Sequence, residues 1–386
     1  MLFIVLRPML VTHVFKATGL SGAEGHLIAL ATGLRAEGIE LRWIVLVDRK
    51  RPPTALFEAA QARGIPFDVV PIAHDLDLGV ARRIALLLKT CGAQIAHTHM
   101  IHGDLYGTLA ARLVGIPIVQ SRHNDDKFRR IWILRGLMNL LSSQARTVIA
   151  ISESLAAFTR DVERVPASKV TRIYYGIDPA ELTSRAEAGA LRTGLGVGAT
   201  TLLVAAVGRL TAQKGFQFLI EAFARVRKSL PAARLVIAGD GELRFSLEAQ
   251  AAALGISQSV RFLGWWNDIP SLMADVDVLA VPSLWEGFGL VTLEAMALSK
   301  PIIASRVSAL PEIVVHGETG LLVPPADSAA LADALTELLT TPARARKMGE
   351  RGRARLEKEF TIQRMAQQHA EVYRNAALVS KESTTI

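Results

Sequence analysis

The sequence predicts an α/β protein of two Rossmann-like, doubly wound parallel-sheet domains that face each other across a cleft. Short β-branched runs alternate with longer amphipathic segments, which is typical of parallel strands joined by helical crossovers. The alternation stops in a polar, Ala- and Gly-rich segment up to Thr200 and then restarts. A chain of 386 residues, half of them apolar, is long enough for two cores.

The alternation defines the expected strands and domain limits. We predict one domain at 1–180, a second at 181–360, and a C-terminal helix at 361–386 that packs back on the first domain and ends in a frayed tail. The carboxyl ends of the strands, where ligands bind in such sheets, should open on the cleft. The predicted strands are Leu2–Leu6, Leu41–Val47, Phe67–Val70, Ile95–Thr98, Ile118–Gln120, Thr147–Ile151 and Val170–Ile173, then Leu202–Val207, Arg234–Ala238, Val260–Leu263, Val278–Val281, Ile302–Ala304 and Gly320–Val323.

Composition limits the possible compartments and partners. The single cysteine, Cys91, excludes an intramolecular disulfide and favours the cytoplasm. No apolar run reaches the roughly 18 residues that a membrane span needs. The net charge is +8, and most of the excess falls in the first 180 residues. This asymmetry suggests an anionic partner, such as nucleic acid, a phosphorylated lipid or a membrane surface, although a generally basic protein is the alternative.

The sharpest motif of the second half places two carboxylates around a glycine turn at a predicted helix start. Glu286 precedes the turn and Glu294 lies about two helical turns further on. Free N–H groups at the helix start suit a phosphate, and the two carboxylates suit sugar hydroxyls. Alternatively, Glu286 is only a cap and Glu294 a solvated charge. The intervening residues proposed to contact the ligand are Gly287, Phe288, Gly289 and Leu290.

Three other strand ends carry residues suited to a nucleotide. Arg209 and Lys214 follow one strand, and together they would neutralise a diphosphate, although singly such residues are often surface charges. Gly239-Asp240-Gly241 and the pair Leu263 and Gly264 follow two others. Glycine there lets backbone approach a planar base, with a simple turn as an equal explanation.

In this order the motifs G-R-L-x-x-x-K-G, A-G-D-G, F-L-G, P-S-x-x-E-G-F-G-L-x-x-x-E and G-x-T-G-x-L-V resemble family 4 of the retaining glycosyltransferases with the GT-B fold, over residues 200–325. The resemblance implies a nucleoside-diphosphate-sugar donor, with UDP favoured over GDP or ADP, and no metal. It places Glu286 beside the donor sugar, Glu294 at the ribose, and Arg209 and Lys214 on the diphosphate. The base is expected near Leu263 and Gly264.

The first half offers fewer motifs. Gly22 lies in a glycine loop that leads into a helix, one residue different from the G-G-x-E loop of the family. The resemblance favours His123 as a residue that faces the donor sugar and His99 as a residue on the acceptor side. A metal site at His97-Thr98-His99 or near His123 is disfavoured, because zinc needs a full tetrahedral set of ligands. Roles in the core remain open for His97.

Two further segments bear on partners and on the hinge. Lys127–Arg146 has five basic residues, no acidic residue and several large apolar ones, as in a helix that lies on an anionic membrane. Packing of this segment against the sheet is the alternative. Tyr174 and Tyr175 stand where the family's I-P-N-G-I-D element has Pro and Asn, so the family's asparagine has no counterpart here.

Together with these features, the resemblance implies a retaining glycosyltransferase that moves a hexosyl or related sugar to a glycan or lipid-linked acceptor. Its setting would be cell-surface polysaccharide, lipopolysaccharide or glycolipid synthesis, in the cytoplasm or at the inner face of the membrane. The proposed catalytic residues are Glu286, His123, Arg209 and Lys214, with no metal. Alternatives are a sugar-nucleotide epimerase or phosphorylase, or an inactive nucleotide-binding protein. Nucleic-acid binding is disfavoured because no recognisable module is present.

Overall fold

The computed structural model describes residues 8–20, 22–48, 50, 52–72, 77, 79–124 and 131–382. The chain folds into two compact units, one formed by residues up to Gly176 with the helix that begins at Ile362, and the other by Ile177–Thr361. Each unit has its own parallel sheet. The prediction of two Rossmann-like parallel-sheet domains is confirmed.

Among its described residues, the first unit has seven parallel strands in the order β3-β2-β1-β4-β5-β6-β7. The predicted strand Leu2–Leu6 lies outside the described residues, and the first described strand starts at Met9. Thr12 and His13 are fully buried in that strand. Because these two residues are polar, the strand does not contain the apolar run by which the other strands were predicted. The strands are β1 (Met9–Lys16), β2 (Ile39–Asp48), β3 (Phe67–Ile72), β4 (Ile95–His99), β5 (Ile118–Arg122), β6 (Thr147–Ala150) and β7 (Val170–Arg172).

The second unit contains six parallel strands in the order β10-β9-β8-β11-β12-β13. In both sheets the strand order reverses beside the first strand, between β1 and β4 and between β8 and β11. Such switch points leave a crevice at the carboxyl ends of the strands. The strands are β8 (Leu203–Val207), β9 (Arg234–Ala238), β10 (Val260–Gly264), β11 (Val278–Val281), β12 (Ile302–Ser305) and β13 (Gly320–Val323).

Helices form the crossovers between the parallel strands, as this direction of pairing requires. Within the described ranges, no helix has both the length and the apolar character needed to cross a membrane. The helices are α1 (Gly22–Ala36), α2 (Thr54–Ala62), α3 (Gly79–Cys91), α4 (Met100–Val114), α5 (Trp132–Ser143), α6 (Glu153–Asp161), α7 (Pro179–Arg185), α8 (Ala190–Leu195), α9 (Phe216–Ser229), α10 (Arg244–Ala253), α11 (Ile269–Asp275), α12 (Leu290–Ala297), α13 (Leu310–Ile313), α14 (Ser328–Thr340), α15 (Pro342–Glu359) and α16 (Ile362–Glu382).

The last helix, α16, belongs to the core of the first unit. Its buried residues Met365, Ala366 and Tyr373 join the hydrophobic cluster formed by α1, β1 and β2. A Cβ at Gly33 of α1 would lie 2.7 Å from the Ile362 side chain and 2.8 Å from that of Ala366. Glycine therefore permits the close contact between α1 and α16, and this contact brings the end of the chain back to the first sheet.

A buried ion network centred on Arg122 connects the end of β5 to neighbouring segments. Its guanidinium lies 2.8 Å from the carboxylate of Asp104 in α4 and 2.9 Å from that of Glu163, and all three side chains have no exposed surface. Further bonds go to Gln120 at 3.2 Å and Ser142 at 2.7 Å. The desolvation cost of these charges is offset only while each has its partners.

We predict that Arg122→Met lowers the free energy of unfolding of the first unit by about 3–5 kcal/mol, because it leaves two carboxylates buried without their cation. Urea unfolding measures the loss. The matched control is Arg42→Met, which breaks the ion pair between Arg42 and Asp68. The side chains of these two residues are 32% and 24% exposed, respectively. That change should cost at most about 1 kcal/mol. Equal losses in both variants would contradict a special role for the buried network.

Candidate functional site

The switch point of the second sheet brings together the loops that follow β8 and β11. Gly215 ends the first of these loops with a φ of +64°, and a Cβ there would lie 2.1 Å from the carbonyl oxygen of Pro282. Only glycine fits this contact without displacing the backbone. Gln213 reinforces it, since its carbonyl accepts a hydrogen bond from the Leu284 N–H at 2.8 Å. The contact places Lys214 directly beside the loop that carries Glu286.

Lys214 and Glu286, both predicted site residues, form a largely buried ion pair. The Lys214 Nζ lies 2.6 Å from Glu286 Oε2, and the Ser283 hydroxyl donates to the same oxygen at 3.2 Å. The Glu286 N–H donates to the Ser308 hydroxyl oxygen at 3.2 Å. Backbone and side chain are thus both held, so the carboxylate has a defined position at the carboxyl end of β11. Ser283 and Ser308 were not identified from the sequence.

Arg209 lies at the same edge of the sheet but in a different environment. Its side chain is exposed, and within the part of the chain that the structure describes it makes no side-chain hydrogen bond or ion pair. Charged donors without a protein partner at a strand end are available for an anionic ligand. The structure therefore presents one paired cation, Lys214, and one exposed cation, Arg209, after the same strand.

The loops after β8, β9 and β10 lie side by side. A Cβ at Gly239, whose φ is +137°, would lie 2.0 Å from the carbonyl oxygen of Gly208. The Gly239 N–H donates to the carbonyl of Gly264 at 2.7 Å. Gly239 is thus required by backbone packing alone, whether or not a base lies near it. Leu263 and Gly264, the expected base contacts, are half-buried at this edge.

The glycine turn Gly287–Gly289 leads into α12, and Gly289 occupies its N-cap position. The first N–H groups of a helix have no acceptor within the helix, so those of Leu290 and its neighbour can face a ligand. Phe288 is different: its side chain is 3% exposed and packs edge-to-face on Phe360 at 6.2 Å between ring centroids. Its ring therefore belongs to the core.

Glu294, in the second turn of α12, has an altered acidity. Burial raises the pKa of its carboxyl to about 7, and the positive charge of Arg185 opposes the shift only in part. The side chain retains some exposed surface, so water reaches one side of it. A carboxyl with a pKa near neutrality is a common property of functional sites.

The predicted site residues of the first unit are Gly22 and His123. Gly22 is exposed at the start of α1. His123 follows β5 and is buried, with its Nε2 3.0 Å from His99 Nδ1 and its Nδ1 in a short hydrogen bond with the Tyr175 hydroxyl. Both ring nitrogens are thus engaged within the first unit. Contact with a ligand would use the ring edge or would replace one of these bonds.

The contact between Tyr175 and His123 was not predicted from the sequence. Its hydroxyl holds His123, and its ring stacks on His26 at 3.8 Å between centroids. Tyr174 lies against the guanidinium of Arg172 at 3.9 Å. The substitution of Pro and Asn by two tyrosines was visible in the sequence, but spacing alone did not indicate a partner 52 residues away.

The proposed membrane segment Lys127–Arg146 is described only from Ile131, and Lys127–Arg130 lie outside the described residues. In α5, Met138 and Leu141 are buried against the unit. Trp132, Ile133 and Leu140 are 73%, 59% and 61% exposed. The helix therefore has both a packed face and a large exposed apolar face.

Two family models match the chain. The model for group 1 glycosyl transferases matches residues 191–355, and the model for glycosyltransferase family 4 matches residues 20–181. An uncharacterized glycosyltransferase of Methanocaldococcus jannaschii is 30% identical over 358 residues, which is 87% of this chain and 89% of that protein. A glycogen synthase of Mycobacterium tuberculosis is 31% identical over 400 residues, covering 95% of this chain and 94% of its own length.

Solved structures show the same architecture. Anabaena Alr3699/HepE in complex with UDP-glucose has a TM-score of 0.82 at 25% identity, over 95% of this chain and all of that chain. WaaG, a glycosyltransferase involved in lipopolysaccharide biosynthesis, has a TM-score of 0.71 at 18% identity, over 95% of this chain and 99% of its own. These neighbours have the GT-B fold, so the fold class expected from the sequence is confirmed.

We predict that Glu294→Gln changes how the stability of the second unit depends on pH. The folded-state pKa of about 7 lies above the ordinary 4.5, so the stability contributed by the carboxyl is fully present below pH 4.5 and is lost as the pH rises through 7. The glutamine stays neutral. The free energy of unfolding of the Glu294→Gln variant should therefore rise relative to that of the wild type by roughly 2–3 kcal/mol between these pH values, allowing for partial exposure.

Hydrogen exchange of peptides from the second unit, followed in urea at several pH values, measures this difference. Glu318→Gln, at an exposed glutamate of the same unit, is the matched control and should leave the profile parallel to wild type. A Glu294→Gln profile that is equally parallel would show that the carboxyl is ionised without cost.

Proposed function

Because the chain belongs to the group 1 glycosyltransferase family, we propose that it transfers a sugar, with retention of anomeric configuration, from a nucleoside-diphosphate sugar to a glycan or lipid-linked acceptor. The observation that carries this proposal is the ion pair of Lys214 and Glu286 at the switch point of the second sheet, with the exposed Arg209 after the same strand as Lys214. Two cations and a fixed carboxylate at that crevice suit a diphosphate and a sugar hydroxyl, respectively.

The diphosphate would lie between Arg209, Lys214 and the start of α12. Arg209 can approach phosphate oxygens from its exposed position without first breaking another contact within the described chain. Lys214 is held by Glu286 at 2.6 Å and would share its charge between the carboxylate and the phosphate. As the bond to the sugar breaks, negative charge grows on the leaving phosphate, and these groups would stabilise it. The proposal assigns no covalent nucleophile and no metal to the reaction.

The sugar, the ribose and the base would contact other residues of the proposed site. Glu286 would orient the donor sugar with His123, Glu294 would accept hydrogen bonds from the ribose, and the base would lie near Leu263 and Gly264. A protonated fraction of Glu294 near neutral pH would make it a donor as well as an acceptor. UDP is the favoured nucleotide, supported by the UDP-glucose complex of the Anabaena protein.

The two domains would have different roles in the reaction. In this proposal residues 1–180 supply the acceptor side and residues 181–360 hold the donor, while the helix after 361 completes the first domain. The exposed apolar face of α5 supports a peripheral place at the cytoplasmic face of a membrane, where a lipid-linked acceptor would be reached. Polysaccharide, lipopolysaccharide or glycolipid synthesis is the setting that this arrangement favours.

We predict that one nucleoside diphosphate raises the thermal stability of the wild-type chain. A ligand at 100 times its dissociation constant adds about 2.7 kcal/mol to the free energy of unfolding. Thermal unfolding with UDP, GDP, ADP, their sugar conjugates and NAD measures the effect. Glu294→Ala should reduce it because the ribose contact is lost. Glu286→Ala should keep most of it yet abolish sugar transfer.

The outcomes separate the candidate activities. Turnover of the donor without an acceptor would point to an epimerase, and nucleotide binding without any turnover to an inactive protein. Unchanged transfer in Glu286→Ala would remove that residue from the mechanism. The control is Glu318→Ala, at an exposed glutamate of the same unit, which should behave as wild type.

We predict that the chain binds vesicles containing phosphatidylglycerol and that Trp132→Ser combined with Leu140→Ser weakens this binding at least about tenfold, since two large side chains lose their burial. Cosedimentation at low and high salt measures it, and the electrostatic part should fall with salt. Phe245→Ser removes a side chain that is 84% exposed in the second unit and is the matched control. Equal effects of both changes would contradict a docking role for α5.

A further inference from the structure

The first unit contains a series of hydrogen bonds that leads from His123 through the core. His123 is one of the residues that the proposed function assigns to the donor sugar. Its Nδ1 is in a short hydrogen bond with the Tyr175 hydroxyl, and its Nε2 lies 3.0 Å from His99 Nδ1. The Nε2 of His99 in turn lies 3.0 Å from His13 Nδ1. His123 is thus connected to a residue of the first described strand, β1.

The series continues from His13 to α16 and then to β5. His13 Nε2 lies 3.1 Å from the Tyr373 hydroxyl, and the same hydroxyl lies 2.7 Å from His97 Nδ1. His97 Nε2 lies 2.8 Å from the Ser121 hydroxyl, which is the other end of the series. A tyrosine of the last helix therefore lies between two buried histidines of the first sheet.

The four imidazole rings have the same orientation along this series. In each ring, Nε2 faces the Ser121 end and Nδ1 faces the Tyr175 end. Burial lowers the pKa of His97 and His99, and it lowers that of His13 to about 3. These rings are therefore neutral near pH 7, and a neutral ring has one N–H donor and one acceptor nitrogen.

The series allows only two arrangements of its protons. Burial raises the pKa of Tyr373 well above its ordinary value, so its hydroxyl also keeps one hydrogen to donate. Each bond needs one hydrogen, and each member between the two ends supplies one. If one ring changes its tautomer, the next ring must change as well, or a buried nitrogen loses its bond. With His123 neutral too, the four rings all carry their proton on Nδ1 or all carry it on Nε2.

The Ser121 end selects between these two arrangements. Ser121 is 2% exposed, and among the residues that the structure describes its hydroxyl bonds to His97 alone. With the protons on Nε2, the Ser121 hydrogen would be buried without an acceptor, which is unfavourable. With the protons on Nδ1, Ser121 donates to His97 and each later hydrogen has an acceptor, up to the oxygen of Tyr175. The arrangement with Nδ1–H is therefore favoured.

We propose that Tyr373 is a positioning residue for His123: it connects His123 to the Ser121 end of the series and so fixes which nitrogen of the His123 ring carries the proton. This role rests on the proposed function, in which His123 orients the donor sugar. An orienting group is effective only when its donor and acceptor atoms are held in place by the residues behind it. The last helix would thus contribute to the site without contact with the substrate.

The first test observes the protons directly in the full chain labelled with ¹⁵N in its histidines. Two-bond ¹H–¹⁵N spectra show which ring nitrogen is protonated, and replacement of single histidines by glutamine assigns the resonances. We expect His13, His97, His99 and His123 all to be protonated on Nδ1. Different tautomers among these four rings in the wild type would overturn the proposal.

Tyr373→Phe interrupts the series with the loss of one oxygen atom. The three rings on the His123 side are then separated from Ser121, and their bonds satisfy equal numbers of ring nitrogens in either direction. Their resonances should shift together from the Nδ1–H tautomer toward a mixture of the two tautomers. Circular dichroism verifies that the variant is folded. A folded Tyr373→Phe in which the His123 resonances are those of the wild type would overturn the proposal.

The matched control is Tyr106→Phe. It removes another buried tyrosine hydroxyl of the first unit, one that accepts a hydrogen bond from the Asp77 N–H at 3.0 Å. General loosening of the unit would affect both variants, whereas the tautomers should change only in Tyr373→Phe. A tautomer mixture in Tyr106→Phe as well would overturn the specific role of Tyr373.

Sugar transfer by the same variants tests the positioning role in the reaction. In Tyr373→Phe, kcat should fall at least about twofold, because about half of the molecules would have the other His123 tautomer. The KM for the donor should change little, since the proposed diphosphate and base contacts lie in the second unit. Altered tautomers with an unchanged kcat would overturn the positioning role. A wild-type chain without transfer would refute the proposed function instead, while the spectra would still decide whether Tyr373 controls His123.

Discussion

The parallel direction of all the described strands is the constraint on which the rest of this structure depends. A parallel pair cannot be closed by a tight turn, so the chain crosses a face of the sheet each time and all carboxyl ends emerge at one edge. Two reversals of strand order, beside β1 and beside β8, open a crevice at that edge in each unit. Polar groups placed after those strands are brought together whatever their distance in the sequence.

The two crevices have different chemistry. In the second unit the loops meet through glycine contacts, Gly215 on Pro282 and Gly239 on Gly208. These loops carry the exposed Arg209 and the largely buried ion pair of Lys214 and Glu286. In the first unit the polar groups are drawn into the core. Arg122 with its two carboxylates is fully buried there, and so are His13, His97 and His99. Such groups are tolerated only because nearly every one has a partner, which makes the first unit depend on complete polar networks.

Much of the architecture and part of the candidate site were accessible from the sequence. Apolar runs between amphipathic segments identified most strands, since a strand buried on both faces is apolar throughout. They failed at β1, where Thr12 and His13 are buried among apolar neighbours. In the site, residue types and spacing indicated Lys214 and Glu286. They did not reveal that the two form an ion pair, nor that Phe288 turns its ring into the core against Phe360.

Local sequence therefore determined which segments form most of the strands and which charged residues follow them, because periodicity and turn glycines act over a few residues. Tertiary structure alone decided the partners. The hydrogen bond between His123 and Tyr175, and the series of hydrogen bonds from His97 through Tyr373 and His13 to His99, join residues from separate strands and from a helix at the far end of the chain. Sheet order and helix docking create these contacts, and neither is encoded in the spacing of residues along the sequence.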